Sequence, residues 1–495
     1  MQLPLPLSEL LLPTEGPFLP PRARRIHCNR NLRMDRIELV GFDMDYTLAI
    51  YNQAEMDRLS IEWTARKLVE RGYSEQLLSM SYRTDFPIRG LLFDKKLGNV
   101  LKMDRYRYVK KAYHGMREIP RDERRQLYNT RRLRPASKRY HWVDSLYALS
   151  EVSLYCAAVE RLEADGVKVD YPRLFHDVRD CIDLAHSDGS ILDAVLADLP
   201  RYVIRDPDLG PTFHKLRSAG KKLFLLTNSR GPYTNRMMCY LLDDALPEYP
   251  SWRNYFDLVI TSSRKPGFFT EDEPFLEVLD DGSTKPANGL ERGRVYAGGN
   301  IAAFEEAVGL SGDQILYVGD HIYGDVLRAK KESAWRTAMV IQEMPAEIEV
   351  FARCAAALER IDSLDQARDA LHHELRSRQT HLKELQRGIE QLRVDGDQSP
   401  PTELEVLRVR HRRAIDRLRA RIRTMESELA QLEDEVDLEF HPFWGSLFKA
   451  GPETSSFGDQ VETYACLYTD RVSNFQAYSP MHYFRSPRDR MPHER

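Results

Sequence analysis

Cysteine is scarce: six in 495 residues, at positions 28, 156, 181, 239, 354 and 466, with no CxxC pair. That excludes a disulfide-stapled scaffold and a zinc or redox motif, and it reads as free thiols in a reducing cytosol. Long apolar runs are missing too. None approaches the roughly 20 residues that a membrane-spanning helix needs, and the best, Val152 to Val159, is bounded by Glu151 and Glu160. Nor does one sign of charge dominate. Lys+Arg 72 against Asp+Glu 76 leaves −4, so there is no global electrostatic case for binding nucleic acid. The opening MQLPLPLSELLLP lacks a basic region and is broken by Pro4 and Pro6. Residues 1–30 therefore read as a Pro-rich extension rather than a signal peptide. What the chain does have, 42% hydrophobic and 30% charged residues, excludes wholesale disorder and suits several soluble domains.

Short apolar runs recur, and each ends in a polar or glycine-rich turn. Ile37–Phe42 runs into Asp43, Leu223–Leu226 into Thr227-Asn228-Ser229, Leu258–Ile260 into Thr261, and Ile315–Val318 into Gly319-Asp320; Thr337–Ile341 closes the series. Helical patterns separate them, such as Thr212–Ala219 before Gly220. Buried-type strands alternating with helices predict an α/β fold with a doubly wound parallel sheet, ligands binding at the carboxyl ends of its strands. The core is read as 31–50 with 201–350. A long insertion at 51–200, rich in Arg and Tyr and mainly helical in pattern, must leave the sheet and return, as a cap domain does. Residues 361–440 carry two a/d seams joined by a Pro/Gly loop at 395–401, which predicts a coiled-coil helical hairpin. It either packs on itself or supports a homo-oligomer. The aromatic segment 441–495 is expected to pack on the body, with disorder from about Arg485.

The chemistry concentrates in Gly41-Phe42-Asp43-Met44-Asp45-Tyr46-Thr47, where two carboxylates separated by one residue follow a buried strand. Such a pair repels unless a cation or a proton intervenes. Other strand ends supply Thr227, Asn228 and Ser229, then Lys265, then Asp320 and Asp325 in Gly319-Asp320-His321-Ile322-Tyr323-Gly324-Asp325. A carboxylate can attack phosphorus, and a second acid can protonate the leaving alkoxide and later activate water. Thr227, Asn228 and Lys265 are donors for phosphoryl oxygens. Asp43, Asp45 and Asp320 form an all-oxygen set that suits Mg²⁺.

These motifs in this order resemble those of the haloacid dehalogenase superfamily. Longer stretches, GFDMDYTLA, FPIRGLLFDKKLGNVLKMD, FHDVRDCIDLAH, RKPGFF, ILYVGDHIYGD and WGSLFKAG, are similar to the cytosolic purine 5′-nucleotidases that prefer IMP and GMP. The resemblance implies Asp43 as nucleophile and Asp45 as general acid/base. It implies that Thr227, Asn228 and Lys265 hold the phosphate. Mg²⁺ would sit on Asp43, the Asp45 carbonyl and Asp320, with Asp325 supporting its water shell.

Arg179, Asp183 and His186 fall at i, i+4 and i+7, one helix face. Spacing alone reads as a solvated Arg–Asp pair and a core histidine, whereas the resemblance makes them purine contacts. A phosphoenzyme intermediate could also pass its phosphate to nucleosides as acceptors; the location expected is cytoplasmic, and the charge balance and short apolar runs predict neither nucleic-acid nor membrane partners. Rival expectations are a phosphatase for another ester, such as a sugar phosphate, and a nucleotide-sensing oligomeric scaffold.

Overall fold

A computed structural model describes residues 20–130, 133–279, 281–394, 402–488 and 494. It divides into two compact units, Met1–Ile348 with Leu447–Arg495, and Glu349–Ser446.

The first unit is built on a ten-stranded sheet. Its centre is Leu39–Phe42, with Lys222–Leu226 parallel on one side and Ile315–Gly319 parallel on the other. Leu258–Thr261 and Val295–Gly298 continue beyond Lys222–Leu226, and Arg336–Val340 and Leu467–Thr469 continue beyond Ile315–Gly319, all parallel. All five expected strands are present. Chain order runs outward one way from Leu39–Phe42, then restarts at Ile315–Gly319 and runs the other way. The reversal lies between those two strands, and it is there that the ends of a doubly wound sheet open a crevice. The central strand carries no polar side chain, and all four of its residues are buried. Gly41 is required there: a Cβ would lie 2.0 Å from the Phe224 ring, which anchors a cluster with Phe304, Tyr317 and Trp335.

Segments near both ends of the chain pair within this unit. Of the proposed extension 1–30, residues 1–19 lie outside the described residues, but His27–Cys28 pair antiparallel with Leu467 and Tyr468. At the other end Tyr483–Phe484 pair with Leu32–Arg33, and the Ser486 N–H donates to Asn31 Oδ1 at 2.7 Å. Order therefore continues past the expected Arg485 limit; residues 489–493 and 495 lie outside the description.

The inserted segment is mainly helical, as expected, but not wholly so. Helices Gln53–Glu70, Leu149–Ala164 and Tyr171–Ser187 pack together, but they share the cap with a five-stranded antiparallel sheet. Its strands are Leu91–Asp94, Asn99–Met103, Val109–His114, Arg117–Glu118 and Tyr140–Val143. One face buries Leu92, Leu101 and Met103 against Ile119 and Tyr128. On the other, Phe93 meets Tyr155 and Phe175 edge-on. With both faces covered, the period-two alternation that marks a strand disappears.

The second unit contains two long helices, Ala355–Val394 and Thr402–Phe440. They run antiparallel, with Arg360 meeting Glu428 and Leu371 packing with Leu418 and Ile422. The seams face each other. The connecting loop at 395–401 lies outside the described residues.

Candidate active site at the switch point of the sheet

Asp43 follows the central strand directly, and its N–H donates to the Val318 carbonyl at 2.9 Å. The neighbouring strand ends one residue before Asp320. Gly319 lets the following loop fold back, because a Cβ there would lie 2.6 Å from the Asp325 carboxyl. Oxygens of Asp43, Asp320 and Asp325 thus come within 4.8 Å of one another.

Lys265 enters this group from the far side of the sheet centre. Its buried ammonium donates to Asp43 at 2.8 Å, to Asp325 at 2.7 Å and to the Tyr317 hydroxyl at 2.8 Å. The Tyr317 hydroxyl in turn donates to the Leu226 carbonyl at 3.0 Å. Burial pushes the Asp43 carboxyl well above the usual range, and Lys265 opposes that rise. Burial also lifts Asp320 to about 7, with Asp325 adding to the effect. Lys265 meets two of these three carboxylates, Asp43 and Asp325, and one ammonium among three acidic groups leaves the cluster short of positive charge. Oxygen donors and uncompensated negative charge fit a hard divalent cation such as Mg²⁺.

Asp45 lines the same cavity but turns away from that cluster. It accepts from the Tyr51 hydroxyl at 2.6 Å and from Ser229 Oγ at 2.5 Å. Tyr51 and Tyr233 hydroxyls are 2.9 Å apart, extending the chain. Burial raises the Asp45 carboxyl, while the Ser229 and Tyr51 bonds oppose the rise. Its side chain is therefore set apart from the Asp43, Asp320 and Asp325 oxygens.

The Thr227-Asn228-Ser229 turn splits into three tasks. Thr227 is fully buried and off the cavity wall, its Oγ1 accepting from the Ser229 N–H at 3.1 Å. Asn228 pins the Lys265 loop: Oδ1 accepts from the Lys265 N–H at 2.6 Å, and Nδ2 donates to the Lys265 carbonyl at 2.9 Å. Ser229 reaches the Asp45 carboxyl through its hydroxyl.

The cap closes the cavity, whose volume is about 880 Å³. Arg179, Asp183 and His186 all line it, together with His141, Asp144 and Tyr147. Arg179 Nη1 donates to His141 Nε2 at 2.9 Å and to Glu151 at 3.2 Å. Burial, and then Arg179, lower His141 to about 4, so its ring is neutral and accepts. His186 Nδ1 lies 2.9 Å from the Tyr147 hydroxyl. Asp183 is exposed in the cavity.

Several residues went unread in the sequence. Arg89, fully buried, forks onto Glu343 at 2.8 and 2.6 Å and donates to the Asp320 carbonyl at 3.0 Å. His321 Nε2 meets Asp144 of the cap at 3.3 Å. The available signal was a charge inside an apolar run, FPIRGLLF, and a tyrosine inside a buried strand, ILYVGD.

A model of the 5′ nucleotidase family matches residues 26–495. A 5′-nucleotidase domain-containing protein of Dictyostelium discoideum is 28% identical over 483 residues, 95% of this chain and 74% of its own. Human 5′-nucleotidase domain-containing protein 2 is 30% identical over 361 residues, 70% of this chain and 68% of its own. Among solved structures, L-2-haloacid dehalogenase from Xanthobacter autotrophicus aligns over 62% of this chain and 78% of its own, at 15% identity and a TM-score of 0.20. So low a score leaves the fold to be read from the strand order itself. With the family match running from the first sheet strand to the last residue, across every element of the site, the chain belongs to the 5′ nucleotidase family.

Proposed function

We propose that the chain is a Mg²⁺-dependent hydrolase of purine nucleoside 5′-monophosphates, preferring IMP and GMP, working in the cytoplasm as a homo-oligomer. The observation that carries this is the single cavity joining the Asp43–Lys265–Asp320–Asp325 cluster to Arg179 and Asp183 on the cap. Asp43, Asp320 and Asp325 would hold the cation, which supplies charge to the phosphoryl oxygens when bound.

Asp43 attacks phosphorus, an aspartyl–phosphorus bond forms, and the P–O5′ bond breaks. Asp45 gives its proton to the departing O5′. Asp45 then takes a proton from water, whose oxygen attacks phosphorus and frees Asp43 and inorganic phosphate. A nucleoside hydroxyl in the place of that water would accept the phosphate instead. Lys265 binds the phosphoryl group, and Asn228 fixes Lys265. The base lies toward Arg179, which donates to O6 and N7, and Asp183, which accepts from N1–H. Adenine reverses that polarity and is rejected.

A panel of IMP, GMP, AMP, a sugar phosphate and a small base-free ester, with phosphate release as readout, tests this. IMP and GMP should lead, and activity should vanish in chelator and return with Mg²⁺. A sugar phosphate turned over faster than IMP would overturn the substrate assignment, and full turnover in chelator the metal assignment.

A further inference from the structure

Charge in the hairpin is segregated in a way that the whole-chain balance hides. Residues 408–423 hold eight arginines and one aspartate, a net +7. Residues 424–439 hold seven carboxylates and no Lys or Arg, a net −7. The seam itself is already filled, since Ile415, Leu418, Ile422, Leu429 and Val436 are buried. Any partner must therefore use the flanks.

One flank carries both halves. Arg410, Arg413, Arg417 and Arg421, then Glu428, Glu435 and Glu439, follow spacings of 3, 4, 4, 7, 7 and 4, and all are exposed. Those spacings place them in one stripe along the helix, about 44 Å long at the rise of an α-helix. The four arginines have no ion pair among the described residues. Glu428 and Glu439 meet only exposed Arg360 and Arg353, at 2.8 and 3.3 Å, contacts of little worth that can be shared. Beside the stripe, Val409 is 42% and Leu438 60% exposed.

We propose that a second copy of this chain lies antiparallel along this stripe, about a two-fold axis between Thr424 and Met425. That axis sets Arg410 opposite Glu439 and Arg421 opposite Glu428, with Glu435 beside Arg413. Each pair occurs twice, as a two-fold interface requires. Val409 of one copy comes within half a turn of Leu438 in the other. A parallel arrangement in register would set Arg against Arg and Glu against Glu. A nucleic acid would satisfy the arginines and be repelled by the glutamates, so the chain's own acidic half is the better complement. The inference rests on the homo-oligomer reading above and names its surface.

Charge exchange on the full chain tests it, by light scattering at low and at molar salt. Wild type should show at least twice 57.5 kDa at low salt and lose mass at high salt. Arg410→Glu with Arg421→Glu sets Glu against Glu at the paired positions, and Glu428→Arg with Glu439→Arg sets Arg against Arg there. Each double variant alone should lose association at least tenfold, and an equimolar mixture should recover it. A monomeric wild type overturns both the oligomer reading and this surface. An oligomer unchanged in either variant, or a mixture without recovery, overturns the surface alone. So does an RNA oligonucleotide that binds wild type and disperses the oligomer.

Discussion

Glu151 offers a magnitude that can be worked from the cap. It sits on Leu149–Ala164 with 1% of its surface exposed. One oxygen faces Arg179 at 3.2 Å, and the other has no partner among the described residues. Burial pushes its carboxyl from the ordinary 4.5 up to about 7, against the pull of Arg179. A carboxyl raised on folding is favoured in its protonated form. The folded chain therefore binds more protons than the unfolded chain between those two values, and stability falls as pH rises through that window. A rise from 4.5 to about 7 corresponds to roughly 3 kcal/mol, present below 4.5 and lost above 7. Glu151→Gln keeps the shape and an acceptor for Arg179 while removing the titration. Denaturant unfolding of the cap, followed at several values from pH 4.5 to 8.5, should show wild type losing about 3 kcal/mol relative to the variant. The variant should be relatively steadier at pH 8 and hold no advantage at pH 4.5. Parallel pH profiles for the two proteins would refute the reasoning, because the buried carboxyl would then not be the group that titrates.

Asp43→Asn should fold as wild type by circular dichroism yet lose at least about 10³-fold in kcat; a folded variant with substantial turnover would remove Asp43 as nucleophile. Asp183→Asn should cut kcat/KM for IMP and GMP and narrow the gap to AMP by about 1–3 kcal/mol, leaving a base-free ester near wild type. An unchanged IMP/AMP ratio would show that the cap helix does not read the base. Arg89→Lys loses the fork onto Glu343 and the bond to the Asp320 carbonyl, so Mg²⁺ affinity should weaken about 10–100-fold. Both Mg²⁺ activation and the Mg²⁺-dependent rise in Tm should report it; a Tm rise with unchanged midpoint would confine Arg89 to packing.

The parallel sheet was legible because its strands are short apolar runs closed by polar turns, and the same runs delivered Asp43, Lys265 and Asp320 to one crevice. The cap sheet was not, since Leu91–Asp94 and Asn99–Met103 are buried on both faces and show no alternation. Tyr317 and Arg89 were silent for another reason. Their partners lie 52 and 231 residues away in sequence, so no local spacing announces them. Thr227 follows its strand as the motif implies, with its Oγ1 accepting from the Ser229 N–H and so fixing the turn. Arg179 and Asp183 were ambiguous by spacing, and what places them on the cavity wall is the docking of Tyr171–Ser187 over the strand ends.

The order in which this chain is synthesised meets an obstacle in its own sheet. His27–Cys28 pair with Leu467 and Tyr468, about 440 residues later. At ribosomal rates of roughly 5–20 residues per second, that delay is some 20–90 s. Arg336–Val340, the neighbour of Leu467–Thr469, likewise stands as an open edge from its own synthesis until then, roughly 6–25 s at those rates, while the whole hairpin is still being made. A nascent chain in that state presents Thr337, Ala338, Met339 and Val340 to any other strand that passes. Expression yield should therefore depend on chaperone supply during the last hundred residues more than on the stability of the finished protein.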